Sequence, residues 1–352
     1  MNASPVPIVP PLESVALRLA HVDEQIERMI ALSVEWGKSD PVTYEIHRSG
    51  QTDRAIVKNI RPIPPRISLL FSDAINQLRA CLDNMVWHLA TSSSGPPPDD
   101  IARRIAFPIY EDEEKWIKWT KARARDGIAE LGPAGRATAR VRALQPFSDR
   151  TSLIPERETP SLDALVGGSV ECAHALLLLQ SYSNHDKHRA LTITVAQSYQ
   201  SRLDIPLTQQ ELKFATLNEG SVILSFPAGA VIPMEGNTGF SIKRPDPLTG
   251  SPQVISELRR LFDYVRKIAI PSLATGLALE SFFPPGIDLG DSVLPVSKRI
   301  QEGSWRTADE RFRDRLPDLT REALAQSPST AKLVVHAPGD ECAACSATLG
   351  AP

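Results

Sequence analysis

Between Leu12 and Trp36, apolar side chains recur at Val15, Leu19, Val22, Ile26, Met29 and Ile30, the three-to-four spacing of an amphipathic helix. Val42, Tyr44 and Ile46 then alternate with polar neighbours, Ser49-Gly50 supplies a turn, and Ile56 to Ile60 resumes an extended run. That pattern predicts a β-hairpin, which Pro62, Pro64 and Pro65 end. The strongest helical signal follows, from Arg66 to Ala90, where Ile67, Leu70, Phe71, Ala74, Ile75, Leu78, Leu82, Met85, Val86 and Leu89 share one broad face. Ser92 to Asp100 has the composition of a loop. Glu113 to Glu130 and Ala134 to Leu144 read as two basic helices, the second stopping before Pro146.

Leu162 to Ser183 reads as a buried helix interrupted near Gly167-Gly168, with Cys172 inside it. The period then changes to two: Leu191, Ile193 and Val195, next Leu212 and Phe214, then Val222, Leu224 and Phe226, with Phe240 to Lys243 as a further strand. Helical spacing returns at Ile255, Leu258, Leu261, Phe262, Val265 and Ile268, and Pro271 is expected to kink or end that helix. These elements predict an α+β fold: an antiparallel helical bundle with a β-hairpin near the N-terminus and a small antiparallel sheet after residue 190. Residues 1–283 are expected to form one unit. Residues 284–352, beyond Pro284-Pro285-Gly286, are polar and charge-rich and read as a tail, partly helical or disordered, that folding does not require.

Composition narrows the class. A chain of 352 residues with 42% hydrophobic and 23% charged positions can build a full core. Its 30 prolines predict stiff connections, and a net charge of −3 gives no global attraction to nucleic acid or acidic membranes. No basic leader precedes an apolar run near the N-terminus, and no run approaches the ~20 apolar residues that span a bilayer. Four cysteines make no disulfide framework in a chain this long, so a cytoplasmic, reducing location is expected, with no membrane contact and no cofactor.

Two polar groupings stand out. Ser72, Asn76, Arg79, Asp83 and Trp87 follow one another at three- or four-residue steps, a polar stripe along the edge of the second helix's apolar face. Asn184, His185, Asp186, Lys187, His188 and Arg189 are six consecutive polar residues between a very apolar helix and an apolar strand. An imidazole titrates near ~6.5, so His185 and His188 suit proton transfer, while Lys187 and Arg189 suit a phosphate or carboxylate. The plainer reading makes the second group a helix terminus whose cations complement the dipole. Packing the two apolar faces together is expected to bring Arg79 and Asp83 within reach of the 184–189 segment, since unpaired buried polar groups are costly.

Two weaker signals remain. Between Lys115 and Arg142, eight basic residues face two acidic ones, with Trp116 and Trp119 at the start; such a stretch can track a phosphate backbone or be a solvated helix face. Cys342 and Cys345, with His336 upstream, offer at most three ligands where a structural zinc site needs four, so no metal site is expected within one chain. P-loop, GxGxxG, HExxH and GxSxG motifs do not occur, which leaves the corresponding ATPases, dehydrogenases, zincins and serine hydrolases unsupported.

Four segments, LRACLDNMVWHLA at 78–90, FPIY at 107–110, LQPF at 144–147 and NHDKHRAL at 184–191, together resemble a family of uncharacterised bacterial proteins. The likeness covers about Leu12 to Leu273. The helical part also resembles the HEPN superfamily of bundles, many of them metal-independent ribonucleases. That second likeness implies a homodimer seam, RNA or another anionic ligand, and catalysis by His188 with Arg79, Lys187 and Arg189. Its nuclease motif, an arginine four to six residues before a histidine, is missing at all seven histidines. The expected function is therefore a binding or interaction protein, with Asp83, Asn184, His185, Asp186, Lys187 and Arg189 as binding residues; the alternative is the ribonuclease or a toxin or defence protein.

Overall fold

In a computed structural model of the chain, the described residues are 10–93, 95–157, 170–188, 191–202, 215–230, 234–279 and 282–315. Helix α1 (Pro10–Gly37) leads into strands β1 (Val42–Ser49) and β2 (Thr52–Ile60), then helix α2 (Arg66–Thr91). Short α3 (Asp99–Ala102), then α4 (Glu113–Arg125) and α5 (Arg136–Ala143) follow, with a 3₁₀ turn at Ala129–Leu131. Strands β3 (Leu153–Pro155) and β4 (Cys172–His174) flank residues outside the description, and α6 (Ala175–His188) comes next. Strands β5 (Ile193–Arg202), β6 (Ala215–Thr216), β7 (Val222–Pro227) and β8 (Met234–Ile242) precede α7 (Val254–Asp263), a π-helical turn at Tyr264–Ala269, and α8 (Ile270–Thr275). Helix α9 (Val296–Gln301) and a last helix, α10, over 308–315 complete an α+β fold.

The two long helices form where the apolar period predicts them, and their faces meet antiparallel. Cys81 Sγ lies 3.8 Å from the Val15 carbonyl, while His21 contacts Asp73 at 3.2 Å. Val15, Leu19 and Met29 on α1 and Phe71, Ile75 and Leu78 on α2 have no exposed surface. Burial pushes the Cys81 thiol up to about 12, so it is a packing group, not a nucleophile.

The strands pair differently from the order in which they are read. β1 and β2 form the expected antiparallel hairpin, with Gly50 at φ +63° in its turn. β7, expected in the later sheet, instead adds to the open edge of β2, with Ala55 opposite Leu224 and Asp53 opposite Phe226. Buried Ala55 and Phe226 explain the choice, because each covers the other's apolar surface. β5 sits between β6 and β8 in a separate three-stranded sheet; Leu212 and Phe214 lie outside the described residues.

Three further expectations change. Cys172 belongs to β4, paired with β3, because the helical run starts only at Ala175; residues 162–169 are outside the description. Of the two outcomes expected at Pro271, a kink or an end, the end does not occur. A proline at 271 has no N–H for the Lys267 carbonyl, and its ring crowds that oxygen. The chain widens to a π turn there, Ile270 N–H bonding Val265 O five residues back, and Leu279 N–H supplies the missing donor to Lys267 O at 3.0 Å.

Finally, part of the stretch read as a tail is packed on α1. Ile287, Ile300 and Ala308 are buried. Thr307 and Glu310 cap the last helix reciprocally, Thr307 N–H to Glu310 Oε2 at 2.8 Å and Glu310 N–H to Thr307 Oγ1 at 3.3 Å. Asp23 of α1 accepts from Ala308 N–H at 2.8 Å and from Arg311 at 2.9 Å.

Candidate functional site

The stretch Phe107 to Tyr110 belongs to no helix or sheet, and Phe107 and Ile109 are buried in the core. Its peptide groups therefore need side-chain partners, since buried backbone N–H and C=O groups are costly to leave unmade. The polar stripe of α2 supplies them. Asp83 Oδ1 accepts from Phe107 N–H at 2.8 Å, and Arg79 Nη2 donates to Phe107 O. The two side chains are 3.5 Å apart, and the Arg79 guanidinium lies 5.9 Å from the centre of the Phe107 ring. From the other side, fully buried Gln145 accepts from Tyr110 N–H at 3.0 Å and donates to Pro108 O at 3.0 Å and Val141 O at 3.1 Å. Burial disfavours the charge on Arg79 and lowers its pKa, an effect Asp83 opposes. Its Nη1 has no partner among the described residues.

One turn earlier the same stripe meets α6. Asn76 Nδ2 donates to Asp186 Oδ2 at 3.1 Å, and Ser183 Oγ donates to Asn76 Oδ1 at 3.2 Å. Helix α6 continues through His188, so Asn184 to His188 form its last turn rather than a connector. Asn184 is exposed, and His185 and Asp186 are half-buried. The side chains of Lys187 and His188, and all of Arg189, fall outside the description, as do His336, Cys342 and Cys345. Trp87, at the far end of the stripe, is 36% exposed.

A second grouping was not foreseen from the sequence. A cavity of about 490 Å³ opens between the 151–155 strand region, the start of α6 and the α7–π turn. Arg260, Asp263, Tyr264, Lys267 and Ile268 reach it from one stripe of the continuous helix, at steps of three, four, seven and eight residues from Arg260. Its other wall is Ala278 and Leu279. They are held there because the chain reverses after α8: Gly276 takes φ +86°, and Arg140 Nη1 caps the helix end through Leu273 O at 2.9 Å and Ala274 O at 2.8 Å. Leu153 and Leu279, both lining the cavity, are 49% and 36% exposed. Tyr264 OH is buried without a hydrogen-bond partner among the described residues, and burial raises its pKa far above the usual phenol range. Proline-driven widening at 264–269 is the signal that marks this wall; the period count alone does not carry it.

Other polar groups serve the architecture. Arg244 makes a two-pronged bond to Glu257 at 2.9 and 3.0 Å with neither side chain exposed, and Tyr182 OH donates to the same carboxylate at 3.2 Å. His174 Nδ1 accepts from Leu176 N–H at 3.2 Å at the start of α6. In the basic stretch, Arg123 is buried and bonds Arg104 O at 2.6 Å, Arg142 pairs with Glu113, and Trp116 is buried against Trp119. Among the described residues, no group of three metal-ligating side chains converges, and no helix is long and apolar enough to cross a membrane. Comparison with protein-family models, curated proteins and solved structures gives no match.

Proposed function

We propose that this is a cytoplasmic binding protein for a small organic ligand, held in the 490 Å³ cavity beside the π turn, with the α2 stripe as the lock that fixes the surrounding fold. The observation that carries it is the cavity: its volume lies in the ~300 to 1,000 Å³ range of small-molecule sites, and its mainly apolar walls carry a few convergent polar groups. Arg79 and Asp83 favour the structural half of the reading. Both are committed to the backbone of one buried residue, Phe107, whereas a group that stabilises a reacting phosphate must be free to meet it. Binding rather than RNA cleavage by His188 and Arg79 is therefore the preferred activity.

A fluorescence titration with N-phenyl-1-naphthylamine, a neutral apolar probe, tests it. Saturable binding is expected for the native chain and none for Ala278→Trp, which plugs the exposed rim of the cavity without touching the core. Probe binding that survives Ala278→Trp would overturn the reading. So would cleavage of labelled single-stranded RNA by the native chain that is lost in His188→Ala with no change in melting temperature.

A further inference from the structure

Resting on the cavity as the binding site, we infer that its ligand is an amphipathic monocarboxylate, with an apolar body against Leu153, Ile154, Ile268 and Leu279 and its carboxylate on Lys267. The apolar half follows from the mouth. Leu153 and Leu279 leave large apolar surfaces facing solvent, and a ligand that covers them removes that surface from water.

Charge selects the head group. Among the residues that line the cavity, the cations Arg260 and Lys267 outnumber the carboxylate Asp263 by one, with Arg266 beside them and Asp149 and Glu310 set against the same wall. The three cations are not equivalent. Arg260 donates to Pro155 O, and Arg266 is buried, with its guanidinium over the Phe262 ring and 3.4 Å from Asp263. Lys267 holds Asp263 only loosely, at 3.6 Å, and both side chains are about one-third exposed. Its ammonium is thus the group best able to exchange a weak, solvated partner for a ligand carboxylate.

The backbone groups of this wall are largely taken, and of its lining side chains the Tyr264 hydroxyl is the one buried without a hydrogen-bond partner among the described residues. Ser152 N–H is taken by Asp149 at 3.2 Å, Leu153 N–H by Thr151 O at 2.8 Å, and Lys267 O by Leu279 N–H. A sugar or nucleotide would find few unused backbone partners, and a phosphate dianion needs more donors than one lysine provides. A single anionic head on an apolar body matches what is left.

Calorimetric titration with 4-phenylbutanoate and with its neutral amide separates this inference from the reading beneath it. The carboxylate is expected to bind about tenfold or more tightly than the amide, the value of one charge-assisted hydrogen bond. Lys267→Met keeps the aliphatic stem and should erase that difference, while Ala278→Trp should abolish binding of both. Equal binding of acid and amide to the native chain, or a preference that persists in Lys267→Met, would overturn the monocarboxylate and leave the cavity standing. Binding of neither compound, or binding indifferent to Ala278→Trp, would overturn both. The substitutions are at partly or fully exposed positions, so unchanged circular dichroism is the folding control.

Discussion

Removing one carboxylate from the α2 stripe should show what that stripe is for. Asp83→Ala deletes the acceptor of Phe107 N–H in a segment where Phe107 is 1% exposed, so water cannot readily replace it. An unsatisfied buried amide costs about 1 to 3 kcal/mol. Arg79 also loses the counter-charge 3.5 Å away, which adds up to about 1 kcal/mol for a pair that is 21% and 35% exposed. The expected loss is about 1 to 4 kcal/mol by urea unfolding followed at 222 nm. Asp83→Asn keeps an oxygen in place and should lose no more than about 1 kcal/mol. Gln145→Ala strips the same segment from its other face, so the Asp83→Ala/Gln145→Ala cycle should show coupling of about 0.5 to 3 kcal/mol. Losing under about 0.5 kcal/mol in Asp83→Ala, or equal losses in Ala and Asn, would refute the clamp.

Glu257→Gln should cost about 3 to 5 kcal/mol in the same assay, because it leaves the Arg244 guanidinium buried without the carboxylate it is bonded to. Hydrogen bonds from Arg48 and the Gly229 N–H hold the Asp53 carboxyl down to about 2 against an ordinary 3.8, so its contribution is present above pH 4 and is lost as pH falls toward 2; Asp53→Asn should flatten that part of the stability profile. A chain ending at residue 315 should melt cooperatively, whereas one ending at residue 285 should melt lower, since it uncovers α1 and leaves buried Asp23 without Arg311 and Ala308. Metal analysis of the purified monomer should find less than one zinc per chain at Cys342 and Cys345, and a stoichiometric zinc lost on changing both to serine would contradict this.

The two long helices and the hairpin were legible because their signal is local: the 3.6 period of α1 and α2 and the Ser49-Gly50 turn each need only neighbouring residues. What escaped was non-local. Nothing in Val222 to Pro227 says that its partner is β2, more than 160 residues earlier, rather than an adjacent strand. Pro271 is a helix breaker by rule, and only the returning chain, with Leu279 N–H on the orphaned Lys267 carbonyl, lets the helix continue. The last helix did carry a readable mark: Thr307-Ala308-Asp309-Glu310 is a capping box, masked by the absence of a long apolar face downstream. Of the candidate site, Asp186 does meet the α2 stripe, through Asn76. Arg79 and Asp83 have their hydrogen bonds on Phe107, a partner that the apolar run Phe107-Pro108-Ile109 gives no reason to expect.

Three of the four segments singled out in the sequence are thus one substructure. The α2 arginine and aspartate, the Phe107 to Tyr110 stretch and Gln145 share a single set of hydrogen bonds, and Asn76 ties the fourth segment to it through Asp186. A pattern of this kind looks the same in sequence whether it builds a fold or a reaction centre, because both need charged groups held at the edge of a core. The distinction lies in the partner. Arg79 is bound to main chain that cannot leave without unfolding the segment, whereas Lys267 pairs at 3.6 Å with Asp263, a partly exposed carboxylate one turn away on the same cavity wall. Exchangeability, rather than the density of polar residues, is the ground on which we propose the first as a structural lock and the second as a binding group.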